Sequence, residues 1–395
     1  MESNLSLKLD ALRGYSALAV LFAHVNQWFV LPVTGLQTTN RYFWNAISYY
    51  AVLAFFVISG YVITHSLLEN RRKNGQINKA SFLRSRALRI LPPFIAALGF
   101  SILVATAIQH YSLHGATGFR TPADFYVARH NVTLNLRDVW ATAFLSNGVI
   151  PGTGTIVTNG ALWSLSYEVW LYGFALLIAL ACEPKQRSRW ISIATLAVLA
   201  LLLRKNQLFF EYSIYWAYGA ALALYLHFNA RWRFFPLFLG LVALPGLIVC
   251  AVSPQRILPL NHGALSLPIN LFAVTLMTGV FRLQQKWKLG PIDRLGAFLS
   301  KSSYTLYILH FPILLLLFSF FHLRFLGWST AERSCFLGGV TLLILLISSL
   351  LARVLENRTL WNSALLFIEN SLKERSSPDS KRMFPDKDLS KRGRP

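Results

Sequence analysis

Three groups able to do acid–base or ionic chemistry lie on one apolar run near the start of the chain: Asp10, Arg13 and His24. An ionisable side chain inside a bilayer-length apolar segment is expensive, so each is a functional candidate. Arg13 and His24 are eleven residues apart. At about 100° per residue a helix returns them to nearly the same face, with roughly 16 Å of rise between them. Such a helix links a charged Asp/Arg pair at one membrane surface to an imidazole near the midplane. A neutral imidazole is what a general base needs. The alternative for His24 is a packed ring bonded to a neighbouring helix.

Four further groups recur in other apolar segments. Glu168 is the only acid in the apolar stretch 162–181. It could orient or charge-balance His24, hold a sugar hydroxyl, or form an ion pair that fixes helix packing. Trp163, Tyr167 and Trp170 beside it suit either an aromatic belt or a stacking surface for the C–H faces of a sugar. Arg84, Arg86 and Arg89 use arginine at all three positions. Planar bidentate donors match phosphate, which suggests an anchor for a polyphosphate cofactor on the cytoplasmic side. A positive-inside bias would also supply basic residues there. Tyr304, Tyr307 and His310 recur three residues apart, so they share roughly one helix face and predict a lined cavity or interhelical hydrogen bonds. Ser59, followed by Gly60, allows close helix packing or close approach of a ligand. Cys182, Cys250 and Cys335 stand singly and read as small buried hydrophobes. No cysteine or histidine spacing predicts a metal site. His65, His110, His114, His130, His227, His262 and His322 fall near segment ends or in loops and read as solvated or interfacial.

The elements that must position these groups are membrane helices. The chain is 54% hydrophobic and only 14% charged, well under the quarter that soluble domains carry. An all-α polytopic membrane protein follows, with about ten spans at 9–31, 45–68, 90–111, 161–182, 190–203, 208–228, 234–253, 264–282, 295–322 and 334–353. No cleavable signal peptide is expected, because the first segment is too long and has no small-residue cleavage site. The net charge of +22 does not point to nucleic acid. With a cytoplasmic N-terminus and ten spans, most Lys and Arg fall on the cytoplasmic side. That is the positive-inside pattern and puts both termini in the cytoplasm. Anionic lipid is a sufficient partner for these charges. A short helix is expected within 136–147 of the largest outer loop. The chain divides into an integral-membrane domain, 1–370, and a basic, disordered cytoplasmic tail, 371–395.

Five motifs in this order resemble the acyltransferase-3 family, integral-membrane O-acyltransferases of bacterial surface polysaccharides and related glycans. They are Leu9-Asp10-x-Leu12-Arg13-Gly14 with His24, Phe55-Phe56-x-Ile58-Ser59-Gly60-Tyr61, Arg86-x-x-Arg89-Ile90-x-Pro92, Trp163-Ser164-Leu165-Ser166-Tyr167-Glu168, and Ser303-Tyr304-x-Leu306-Tyr307-x-x-His310. The resemblance implies that His24 is catalytic, that Arg13 is its essential partner, and that Glu168 matters for activity. It also implies that the arginine cluster handles acyl-coenzyme A. The expectation is therefore a bacterial inner-membrane enzyme that moves an acyl group, most simply acetyl, from cytoplasmic acyl-CoA to a hydroxyl of a polysaccharide, lipo-oligosaccharide or other glycan. Acyl-CoA is a donor co-substrate, and no bound cofactor is expected. His24 would be the base or a transient acyl carrier, Arg13 would orient the donor or stabilise negative charge, and Asp10 would position Arg13. Ser59, Trp163, Tyr167, Tyr304, Tyr307 and His310 would serve the substrates. The rivals are a multi-span transporter of a glycan, lipid or organic anion, and a structural subunit of a polysaccharide-assembly complex.

Overall fold

The computed structural model describes residues 2–34, 39–113, 119–120, 127–129, 132–183, 188–228, 270–277 and 288–376. Most of them are helical. The first apolar run forms α1 (Glu2–Val25), a π-helical turn (Asn26–Val30) and α2 (Leu31–Thr34). It is followed by α3 (Thr39–Asn74) and α4 (Lys79–His110). Gly75 leaves α3 with φ +72°, the left-handed conformation that glycine adopts at a helix end without steric cost. Asn78 then caps α4 by accepting the Ser81 N–H at 3.0 Å. A two-stranded antiparallel ribbon, Phe119–Arg120 with Val127–Arg129, lies between α4 and α5 (Leu136–Ala143), the helix expected within 136–147. Next come α6 (Leu162–Ala181), α7 (Arg189–Leu203) and α8 (Gln207–His227), and helical residues 270–277. The C-terminal half closes with α9 (Pro291–Ser300), α10 (Ser303–Gly327), α11 (Thr330–Leu355) and α12 (Arg358–Ser376).

Six helical stretches among the described residues are long and apolar enough to cross a membrane: Asn4–Thr34, Phe43–Asn74, Lys79–His110, Leu162–Ala181, Ser303–Gly327 and Thr330–Ser371. The chain is thus a multi-pass membrane protein. The expected segment 190–203 is helical but short, as α7, and 208–228 forms α8, whose apolar run is broken by Glu211 and several tyrosines. The segment 234–253 lies outside the described residues, and only 270–277 of 264–282 is described. The expected single span 295–322 is two helices. The chain turns at Lys301 and Ser302, so Lys301 caps a short helix rather than crossing the bilayer. The stretch 371–376, read from sequence as tail, continues α12, and 377–395 lies outside the described residues.

Two cysteines depart from expectation. Cys182, which caps the C-terminus of α6, and Cys335 on α11 are exposed rather than buried in a core. Cys250 lies outside the described residues. His322 also departs: it is buried, its Nδ1 lies 3.1 Å from the Phe318 carbonyl, and its ring stacks on Phe318.

The helices assemble into two apolar cores. One joins α3, α6 and α8, and the other joins α1, α4, α6, α10 and α11. Phe55, Tyr172 and Tyr307 pack against both, so they mark the seam between them. Glycines set how closely the helices approach. A Cβ on Gly60 would stand 1.9 Å from the Trp216 carbonyl oxygen, and one on Gly219 would stand 1.8 Å from that of Val57. These two positions interlock α3 with α8. Gly14 and Gly296 do the same for α1 and α9, one residue from Arg13. Gly219→Leu is expected to lose at least about 1–3 kcal/mol by overpacking, read as a lower melting temperature and a smaller monodisperse peak in detergent. A substitution on the open side of α4, at Gly99, has nothing within 4 Å and should leave both unchanged.

Candidate active site

A narrow, mostly apolar cavity opens at the seam between the two cores. Its walls are mostly apolar side chains of α3, and its polar points come from five helices. Arg13 comes from α1, Ser59 from α3, Arg89 from α4, Glu168 from α6, and Tyr304 and Tyr307 from α10. Arg13 also donates to Asp10 at 3.0 Å, three residues back on the same helix. Glu168 accepts a hydrogen bond from Tyr172, one turn on. The site therefore gathers two guanidinium groups and one carboxylate against mostly apolar helix faces.

Helical geometry separates the arginines that adjacency in sequence had grouped. Arg86 and Arg89 are about 60° apart around the helix, whereas Arg84 is turned about 140° or more from both. Arg89 faces the cavity. Arg86 donates to the Ser66 hydroxyl at 3.1 Å. Arg84 points away and pairs with Glu369 of α12 at 3.7 Å.

His24 stands beyond this cavity rather than in its wall. Its Nδ1 lies 2.9 Å from Nε2 of His310, with the two rings stacked at 5.0 Å. Phe311 meets the His24 ring edge-on at 5.5 Å. Tyr307 is the bridge between the two places. It lines the cavity, its hydroxyl is 2.6 Å from that of Ser164, and its ring lies 6.0 Å from that of His310. The stripe Tyr304, Tyr307, His310 thus serves one face, as its spacing predicts. Its first two members line the cavity and its third reaches the catalytic candidate of α1. Glu168 joins the arginines and not His24.

The aromatic residues of α6 divide by role. Tyr167 donates to the Gly148 carbonyl at 3.0 Å and Trp170 to that of Leu145 at 3.0 Å. Both tie α6 to the loop after α5. Trp163 packs among Phe56, Tyr167 and Tyr212, behind the cavity wall. Ser59 faces the cavity and accepts from the Trp216 indole at 3.3 Å.

Two polar groups that sequence reasoning passed over shape this region. Asn159 is fully buried and donates to the Ile308 carbonyl at 2.8 Å. Pro312 carries the signal for it. A proline inside a helix leaves the carbonyl four residues earlier without its N–H partner, so some donor must come from elsewhere. Asn270 is the other. Its amide nitrogen lies within hydrogen-bond distance of Tyr49, Glu211 and Tyr215, and it locks α8 to α3 deep in the first core. Among the described residues no group of acids, cysteines and histidines is placed to hold a metal ion.

A family profile described as an acyltransferase domain matches residues 6–353, nearly the whole membrane region. A Rhizobium radiobacter protein named "Protein 2 in picA locus" is 30% identical over 198 residues, 49% of this chain and 87% of that protein. A Staphylococcus aureus (strain COL) protein whose name includes the word O-acetyltransferase is 35% identical over 100 residues. That match covers 25% of this chain and 13% of the longer protein. A Staphylococcus aureus (strain MSSA476) protein matches to the same extent. No solved structure matches. The profile match over residues 6–353 establishes that the chain belongs to the acyltransferase-3 family and is a membrane-embedded acyltransferase.

Proposed function

We propose that the chain is an O-acyltransferase that moves an acyl group, most simply acetyl, from cytoplasmic acyl-CoA to a hydroxyl of a glycan. The observation that carries this reading is the single line from Arg13 and Arg89, through the cavity and Tyr307, to His24 and His310. The two arginines supply charge for an anionic donor, and the apolar walls suit a flexible arm. About 16 Å of helix separates Arg13 from His24. The long pantetheine arm of a coenzyme A thioester is the class of linker that spans such a gap. Arg13 is too far from His24 to stabilise charge at the reacting carbon, so its part is to orient the donor, with Asp10 holding its guanidinium.

The acceptor hydroxyl oxygen attacks the thioester carbonyl carbon. His24 takes the hydroxyl proton as general base, the C–S bond breaks, and the proton passes to the departing thiolate. The products are the acyl ester and free coenzyme A. A histidine-bound acyl intermediate would give the same products in two steps. Glu168, Tyr304 and Ser59 line the approach. Inner-membrane placement in a bacterium and a polysaccharide or lipo-oligosaccharide acceptor follow from the same family resemblance.

The test is purified protein in vesicles with acetyl-CoA labelled in its acetyl group and a mixed glycan extract. Label should pass into an alkali-labile ester, with one free thiol formed per ester. Thiol release without ester would remove transfer to a hydroxyl as the reaction, and no turnover with any acyl-CoA would remove acyl-CoA as the donor.

A further inference from the structure

His24 and His310 meet through ring nitrogens, and one of the two must donate. The second nitrogen of His310 decides which. Its Nδ1 lies 3.1 Å from the Leu306 carbonyl oxygen, and a carbonyl only accepts, so that Nδ1 carries a hydrogen. His310 is 1% exposed, and none of its hydrogen bonds among the described residues is to a carboxylate. A lone charge in such a place is costly, so the ring is neutral. Its Nε2 is then an acceptor, and Nδ1 of His24 is the donor. The basic lone pair of His24 falls on Nε2.

We propose that His310 is a positioning residue that fixes His24 as its Nδ1–H tautomer and so selects Nε2 of His24 as the atom that takes the acceptor's proton. This rests on the reading of His24 as the base in acyl transfer. The logic is that of the carboxylate behind a triad histidine, with a second imidazole and a backbone carbonyl in the carboxylate's place. When the acceptor proton reaches Nε2, the His24 imidazolium keeps its Nδ1–H on His310 until the proton leaves with the thiolate.

The turn that carries His310 is held from outside its own helix. Pro312 leaves the Ile308 carbonyl without a helical partner, and Asn159 supplies it at 2.8 Å. Asn159 is anchored in turn on the Ser101 hydroxyl of α4 at 3.1 Å. This pins α10 two residues before His310. Gly160, next in sequence, lets the same segment close on Phe311, since a Cβ there would stand 3.2 Å from that ring. The ring of Phe311 in turn abuts His24. Asn159 and Gly160 thus brace both neighbours of the His24 ring.

Two substitutions of similar size separate positioning from packing. His310→Leu removes the acceptor, and His310→Gln keeps one near the position of Nε2. In the full-length protein in vesicles, His310→Leu should lower kcat by roughly 10²- to 10⁴-fold, with KM for the donor changed by less than about threefold. His310→Gln should recover about tenfold or more of that loss. A His310→Leu enzyme within about threefold of the unsubstituted kcat overturns the proposal, as does equal impairment of the two variants. If the leucine variant does not fold, nitrogen-15 signals from labelled histidine in the unsubstituted protein decide. A hydrogen on Nδ1 of His24 supports the proposal, and one on Nε2 alone overturns it. His24→Ala is run beside them. If it is inactive while His310→Leu is active, this inference fails and the transferase reading stands. If His24→Ala is fully active, the reading fails and takes the inference with it.

Discussion

His24→Ala is expected to lower turnover by roughly 10²- to 10⁴-fold, the usual worth of a positioned general base, while the protein stays folded in the membrane. Folding should survive because α1 is held at several points besides this ring. Gly14 locks it against α9, and Ala17, Leu21 and Val25 seat it in the second core. The ring itself is only half-buried, so its truncation leaves a smaller void than a core aromatic would. The control is His322→Ala. That ring is 3% exposed, stacks on Phe318 and lies outside the cavity. Its loss should lower the melting temperature and spare kcat per folded molecule. Acyl transfer with saturating donor, normalised to the monodisperse protein recovered, reads both. A His24→Ala enzyme with full turnover would show that the imidazole is a packing residue, the alternative its sequence context allows.

How much of this was legible in the sequence depends on the distance over which each feature is decided. Membrane helices were, because hydropathy over about 20 residues is a local property. The stripe of Tyr304, Tyr307 and His310 was, because periodicity is local too. The break at Lys301 and Ser302 was not, since an apolar run reads as one span until a polar pair is recognised as a turn. The meeting of His24 with His310 was beyond local reasoning. It joins residues 286 apart in the chain, and many partners fit a lone intramembrane histidine. Glu168 shows the same limit. An isolated acid in an apolar helix demands a partner, but its sequence does not say whether that partner is a histidine or an arginine. Asn159 was closer to reach, because Pro312 announces an orphaned carbonyl that some buried donor must satisfy.

The arginine cluster offers the sharpest contrast, since three residues that look equivalent in sequence should behave differently. Arg89→Gln is expected to raise KM for acyl-CoA by roughly 10- to 100-fold, the value of losing a charge-assisted hydrogen bond of about 1.5–3 kcal/mol. Arg84→Gln should change it by less than about threefold, because an exposed ion pair is worth only about 0–1 kcal/mol. Its guanidinium and the Glu369 carboxylate are 39% and 48% exposed, on the far side of α4 from the cavity. Arg89→Lys separates charge from geometry. A lysine keeps the charge but loses the planar fork, so a partial recovery of KM indicates a phosphate held by paired donors. Removing Arg89 also leaves Glu168, which is partly buried, with Arg13 as the remaining guanidinium in the cavity wall, and an under-compensated carboxylate in such a place destabilises. Adding Glu168→Gln to Arg89→Gln should therefore recover melting temperature without recovering KM. Recovery of both would mean that the arginine only balances the carboxylate, and the donor's phosphates would then have to be held elsewhere.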